Sequence, residues 1–324
     1  MSYFNDFETM LLATLDAILT RYDRNPAYHF IDTKLDLLTG KDFGPEDAWY
    51  KQPDIIFPWI QGRGLEAMAG HLEWVRRTQI LSRSEKQQRI RKIRRILTEV
   101  STRMEILRRK NHGRMYFLMT VEGDFLAIGP DGGPVRRDRI DDGANFSDLF
   151  YAKGLFAAGA ALGDDKLRRR GENYLKRVVR DILSEKFVTD QQVFDPKNPV
   201  QAIPGKLLQG PKMIALDGTA LGMKHGDPAY WERRARALLK RIFSRYIALG
   251  EVAGPLEQYD FWEAVDRTGK PWDDGGKLLA DPGHELEFIG LSLKNLLGFT
   301  TPAGRRDAAG FRKIYGKMLE HYFA

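Results

Sequence analysis

The chain has 324 residues, 43% of them hydrophobic and 29% charged, an ordinary globular composition long enough to bury a sizeable core. It contains no cysteine, which excludes disulfides, thiolate catalysis and cysteine-based zinc or iron–sulfur sites. The formal charge of +7, from 51 basic against 44 acidic residues, is mild for this length and does not by itself indicate nucleic acid.

The opening residues, Met1-Ser2-Tyr3-Phe4-Asn5-Asp6-Phe7-Glu8, carry acids and no basic stretch, so they do not read as a secretion signal. No run approaches the roughly 18–20 apolar residues that span a bilayer. A cytoplasmic protein with no membrane partner is expected. Phe4 to Arg21 then has the pattern of an amphipathic helix, with Phe7, Met10, Leu11, Leu15, Ile18 and Leu19 on one face. A loop rich in Gly, Pro and Asp follows and contains Trp49 and Tyr50.

A second helix is predicted to begin near Phe57-Pro58, where proline suits the first turn, and to run to Arg77. Ile60, Leu65, Met68, Leu72 and Val75 are its apolar members. Gly62, Gly64 and Gly70 each disfavour a helix by about 1 kcal/mol relative to Ala. They imply either tight helix–helix contact or close approach of a ligand. Ser84 to Lys110 is a long basic helix with a buried stripe of Ile90, Ile93, Ile96, Leu97, Val100, Met104 and Leu107. No aromatic interleaving or base-reading motif accompanies its arginines, so a solvated outer face is expected rather than a nucleic-acid partner. From Arg114 to Ile128 the period changes. Two short apolar runs around Glu122-Gly123-Asp124 predict a β-hairpin inserted between helices.

Helices then resume in pairs. Ser147 to Leu162 is small and apolar, and Asp164 to Phe187 is charged and amphipathic. Pro211 to Met223 is again small and apolar, and Pro228 to Leu249 again charged. The two pairs recur at ~65-residue spacing, which suggests inner and outer helices of a ring of hairpins. Gln258 to Asp266 contains a short strand, in the irregular stretch Glu251 to Lys277, and Thr268-Gly269-Lys270-Pro271 is a turn. A last amphipathic helix covers Arg305 to Tyr322.

Between these lies Asp281-Pro282-Gly283-His284-Glu285-Leu286-Glu287-Phe288. Asp-Pro-Gly is loop chemistry, and Leu286, Ile289, Leu293, Leu296 and Leu297 follow at helical spacing. His284 therefore sits at a helix mouth with Glu287 one turn on. An imidazole and a carboxylate so spaced can form an acid/base unit, though a histidine at a helix start more often caps or hydrogen-bonds. His29, His71, His112 and His225 show no HxxH or HExxH spacing, so no metal site is written locally. There is no Walker loop or dinucleotide fingerprint, and Gly129-Pro130-Asp131-Gly132-Gly133 is turn chemistry. No cofactor is expected.

Pro282-Gly283-His284-x-x-Glu287 resembles the Pro-Gly-His-x-x-Glu signature of the N-acylglucosamine 2-epimerase family, which includes cellobiose 2-epimerases and aldose–ketose isomerases. Trp59-Ile60-Gln61-Gly62-Arg63 resembles that family's Trp-x-Gln-x-Arg. Phe146-Ser147-Asp148-Leu149-Phe150-Tyr151-Ala152-Lys153-Gly154-Leu155 is similar to its helix opening with Ser-Asp-x-Phe. The three stand in the family's order over most of the chain. The resemblance implies an all-α (α/α)6 toroid, here one domain over 1–324 with small β-hairpin insertions. It implies a small-molecule sugar substrate, and epimerisation or isomerisation at C2 of an open-chain aldose or N-acylhexosamine through an enediolate. A homodimer is compatible with it.

In that scheme His284 is one of two bases. Glu287 orients it or holds a sugar hydroxyl, and Arg63 faces the carbonyl oxygen. Trp59, Tyr116 and Glu263 are further sugar-binding candidates, with core packing the alternative for the two aromatics. Glu263, Asp266 and Glu287 are also the carboxyls that a glycoside hydrolase or lyase on the same toroid would use. A non-catalytic sugar-binding relative is a third reading. The chain departs from the family at Phe288, usually Trp, and at Phe57, where an extra Arg is common. The tally of about nine helices falls short of six pairs, and His321 does not match the family's second catalytic His. The chain is therefore expected to lack the closing C-terminal helices.

Overall fold

The structure is a computed structural model that describes residues 3–138, 143–189, 203–250 and 257–323, with side chains from residue 6 on. The sequence-based readings at 1–2 and at 251–256 lie outside the described residues. Nine α-helices occur among the described residues, with six short strands. They fall into two compact units, the described parts of Met1–Asp141, Asn145–Leu175 and Thr189–Val200, and those of Asp142–Ala144, Lys176–Val188 and Gln201–Ala324.

The first unit holds α1 (Tyr3–Arg24), α2 (Pro58–Arg77), α3 (Arg83–Lys110), α4 (Phe146–Leu162) and the start of α5 (Asp165–Leu183). α2 and α4 pack backbone to backbone. A Cβ at Gly62 would lie 2.5 Å from the Phe150 carbonyl, and one at Gly154 would lie 2.2 Å from the Gly62 oxygen. These glycines serve helix contact. Gly70 has nothing within 4 Å of its Cβ position and faces open space. α4 is buried without a break from Ser147 to Gly159, as an inner helix requires. Its first turn is fixed by Asn145, whose Oδ1 accepts the Asp148 N–H at 2.7 Å and whose Nδ2 donates to the Met115 carbonyl at 2.8 Å. Asp148 is fully buried and accepts from Met115 N and Arg114 Nη1, both at 2.9 Å, and from the Tyr174 hydroxyl. Burial pushes its carboxyl up against the pull of those donors.

α3 begins one residue earlier than its period suggested. Ser82 forms a capping box with Glu85, and the reciprocal bond from Ser82 N to Glu85 Oε2 is 2.8 Å. Part of its basic face is paired with α1, with Arg89 2.7 Å from Asp16 and Lys92 2.6 Å from Asp23. α1 itself is rotated from the expected face. Leu15, Leu19 and Tyr22 are buried, but Phe7 and Met10 are exposed, and Glu8 is buried instead. The Glu8 carboxylate accepts from Trp74 Nε1 at 2.9 Å and Thr78 Oγ1 at 2.6 Å, which draws that turn inward. The predicted hairpin, β2 (Leu118–Thr120) and β3 (Phe125–Ile128), is the centre of a four-stranded antiparallel sheet. β1 (Ile55–Ile56) and β4 (Pro134–Arg136) flank it. Such short strands carry too little alternation to be read from sequence.

The second unit holds the end of α5, α6 (Gly210–His225), α7 (Pro228–Arg245), α8 (Pro282–Leu296) and α9 (Pro302–Phe323). β5 (Leu207–Leu208) pairs antiparallel with β6 (Ala264–Val265). α8 is fastened to α6 by Asn295, which donates to the Leu216 carbonyl at 2.8 Å and accepts from Thr219 Oγ1 at 2.7 Å. The buried side of α8 is Glu285, Phe288, Ile289, Ser292, Asn295 and Leu296. Leu286, Leu293 and Leu297, expected inside, are exposed. Phe288 sets the rotation, because its ring stacks on Phe261 at 5.5 Å and meets Phe243 and Tyr315 edge-on.

Glu285 is buried in the first turn of α8, and its Oε1 has no hydrogen-bond partner. Burial pushes its carboxyl up to about 7, with His321 opposing and Asp260 adding to the shift. His321 Nε2 lies 2.9 Å from Asp260 Oδ1.

Two predictions follow from the packing. Gly154→Ala should lower stability by about 1–3 kcal/mol through overpacking, while Gly70→Ala, on an exposed helical face, should raise it by about 0.5–1 kcal/mol. Thermal melts of the two variants check the pair. A carboxyl raised in the folded state stabilises the fold below the ordinary carboxylate range, and that contribution is lost as pH rises through about 7. Glu285→Gln should therefore be more stable than wild type at pH 8, with the advantage shrinking toward pH 5, as read by urea unfolding.

Candidate active site

In the second unit, α8 opens at Asp281, whose carboxylate caps Gly283 N at 2.8 Å and His284 N at 3.2 Å while Pro282 takes the first helical position. The cap and the proline place His284 in the first turn. Its side chain is 44% exposed, yet Nδ1 is covered, 3.0 Å from Glu263 Oε1 and 3.6 Å from Asp281 Oδ2. Nδ1 forms no aligned hydrogen bond, so the 3.0 Å separation is a close approach without hydrogen-bond geometry. Nε2 is the nitrogen left toward the open side.

Glu263 is 12% exposed and sits at the foot of β6. Its N–H donates to the Leu279 carbonyl at 3.0 Å, and its carbonyl accepts from Gln209 N at 3.0 Å. Gln209 Nε2 also reaches both carboxylate oxygens, at 3.3 and 3.2 Å. Glu287 is exposed, and among the described residues it makes no hydrogen bond or ion pair with His284. The carboxylate beside the imidazole thus comes from the strand pair rather than from the same helix. The Asp266 carboxylate closes its own turn, accepting from Thr268 N at 2.7 Å and Lys270 N at 3.0 Å. Hydrogen bonding from Thr268 holds its carboxyl below the usual carboxylate range. Of the three carboxyls that could supply a hydrolase's pair, Glu263 and Asp266 are therefore already engaged.

In the first unit, Trp59 and Arg63 lie on successive turns of α2. The Arg63 guanidinium rests 5.4 Å from the Phe150 ring and 5.9 Å from the Trp59 ring. Arg63 is exposed, and no carboxylate among the described residues pairs with it. Trp59 is half-buried, packed on Phe117 at 5.7 Å and Phe150 at 5.8 Å, and its covered indole N–H has no hydrogen-bond partner. Tyr116 is 1% exposed and stacked on Phe125 at 4.1 Å, so its ring belongs to the core.

Two lysines were missed by sequence reasoning. Lys153 is buried in α4, 3.2 Å from Glu66 and 5.4 Å over the Phe150 ring. Its signal was a charge inside an apolar helix. Lys34 is buried, donates to the Tyr50 carbonyl at 2.8 Å, lies 4.8 Å over the Phe57 ring and is pushed down to about 8 by burial. It lies in an irregular loop, where no periodicity marks burial. Among the described residues no three His, Asp or Glu side chains gather as a metal site would need, and no helix is long and apolar enough to cross a membrane.

No protein-family model matches the chain, and no curated protein matches it in sequence. The similarity lies in solved structures. A D-mannose isomerase is 10% identical with a TM-score of 0.49, over 81% of this chain and 59% of its own. A cellobiose 2-epimerase from Spirochaeta thermophila DSM 6192 is 14% identical with a TM-score of 0.52, over 97% of this chain and 71% of its own. The chain thus spans less than two thirds of the isomerase's length. At such identity the likeness to the epimerase speaks for fold alone. The chain is mostly helical and shares the (α/α)6 fold of that epimerase, the fold class expected from the sequence.

Proposed function

We propose that the chain is a sugar 2-epimerase or aldose–ketose isomerase in which His284 transfers the proton at C2 of an open-chain sugar. The observation that carries this reading is the His284 ring at the mouth of α8, with Nδ1 covered against Glu263 and Nε2 left for a substrate. The fold shared with a cellobiose 2-epimerase supports it.

The C1 carbonyl acidifies the C2 proton, and a neutral imidazole at Nε2 is suited to take it near pH 7. Glu263 steadies the imidazolium that forms. Negative charge then develops on O1 of the enediolate, where the reaction needs a cation or N–H donors. Delivery of a proton to the other face of C2 by a second donor, with the His284 proton lost to solvent, gives the epimer; return of the His284 proton to C1, with the O2 proton passing to O1, gives the ketose. Glu287, exposed one turn beyond His284, is suited to a sugar hydroxyl. Tyr116 supports the aromatic packing from within.

Conversion of free aldohexoses, N-acetylhexosamines and cellobiose by the 324-residue chain tests the proposal. His284→Ala should reduce kcat by about 10²–10⁴-fold. A His284→Ala variant that turns over like wild type removes His284 from the reaction.

A further inference from the structure

We infer that Gln209 is a positioning residue that holds the Glu263 carboxylate against His284. The inference deepens the function proposed above and rests on it for its kinetic part. Gln209 directly follows β5. Its N–H continues the β5–β6 ladder by donating to the Glu263 carbonyl at 3.0 Å, so the two residues face each other as a cross-strand pair. Its side-chain amide then reaches across to the Glu263 carboxylate, 3.3 Å to Oε1 and 3.2 Å to Oε2. Oε1 is the same oxygen that lies 3.0 Å from His284 Nδ1.

The amide can present only one end. Flipped, its oxygen would face two carboxylate oxygens, so an ionised Glu263 fixes the N–H side toward itself. That leaves Gln209 Oε1 buried with no partner, and Gln209 is completely covered. An orphaned buried acceptor is unfavourable, because it gives up water and gains no partner. A packing residue would not need that sacrifice, since an apolar side chain of equal size avoids it. The amide is explained by what its N–H groups do to Glu263. Without them the carboxylate keeps its backbone anchors, but its χ angles are free to turn it away from the imidazole.

The test combines NMR with kinetics on the intact chain. In wild type, the His284 Hε1 proton should show a nuclear Overhauser contact to Glu263 Hγ. In Gln209→Met, close in size but without the amide, that contact should be lost. There kcat for C2 conversion should fall on the order of 10–100-fold, as misplacement of a catalytic group does, with KM within about twofold of wild type. A retained contact in Gln209→Met overturns the inference whatever the reaction. A lost contact in Gln209→Met, together with full activity in His284→Ala, leaves the positioning intact and overturns the proposed function instead. If Gln209→Met does not fold, the Gln209 side-chain amide protons carry the test. They should move upfield in Glu263→Gln relative to wild type, and unchanged resonances overturn the inference.

Discussion

A carboxylate held 3.0 Å from an imidazole nitrogen is the contact on which the second unit's candidate chemistry depends. Its partners come from separate pieces of chain. His284 is delivered by a helix start that an Asp281 cap and a proline define. Glu263 is delivered by two-residue strands that could not persist alone in water. The strand pair stays because aromatic packing surrounds it. Phe261 stacks on Phe288, and Phe288 in turn meets Phe243 and Tyr315. Core packing and site geometry therefore share residues, and Phe288 sits one turn from the imidazole.

The first unit solves a different problem. Arg63 sits on a helix that is itself tightly packed. Gly62, its neighbour, removes the side chain that would hold α4 away, and Gly154 does the same from the other helix. The close approach brings Phe150 under the guanidinium at 5.4 Å. The cation is then oriented by ring faces and left without a carboxylate among the described residues. An arginine satisfied by a salt bridge would have little left for a substrate oxygen. One supported by aromatic faces keeps its N–H donors free.

Much of this was legible in the sequence because it is periodic or punctuated. The inner helices announced themselves as Ala/Gly-rich runs, and the Asp-Pro-Gly-His segment marked a helix mouth. What was not legible depended on partners distant in sequence. The 285/288/289/292 face of α8 carries Glu285 and Ser292, so a hydrophobic count favoured Leu286, Leu293 and Leu297, which are exposed. Tertiary packing of one phenylalanine overrode that count. Glu263 was recognised as a polar candidate, but its place beside His284 rests on a strand register that two-residue strands do not encode locally. Lys34 and the outer strands of the four-stranded sheet escaped notice for the same reason: their environment is made by the fold, not by their neighbours.

The proposed reaction begins with removal of the proton at C2 of an open-chain sugar. Incubation of the chain with unmodified aldoses in deuterated water, followed by proton NMR of the recovered sugar, reads that step directly. Loss of the H2 signal together with appearance of the C2 epimer or the ketose is expected. Recovery of every sugar with H2 intact, alongside release of free sugar from a glycoside, would contradict it.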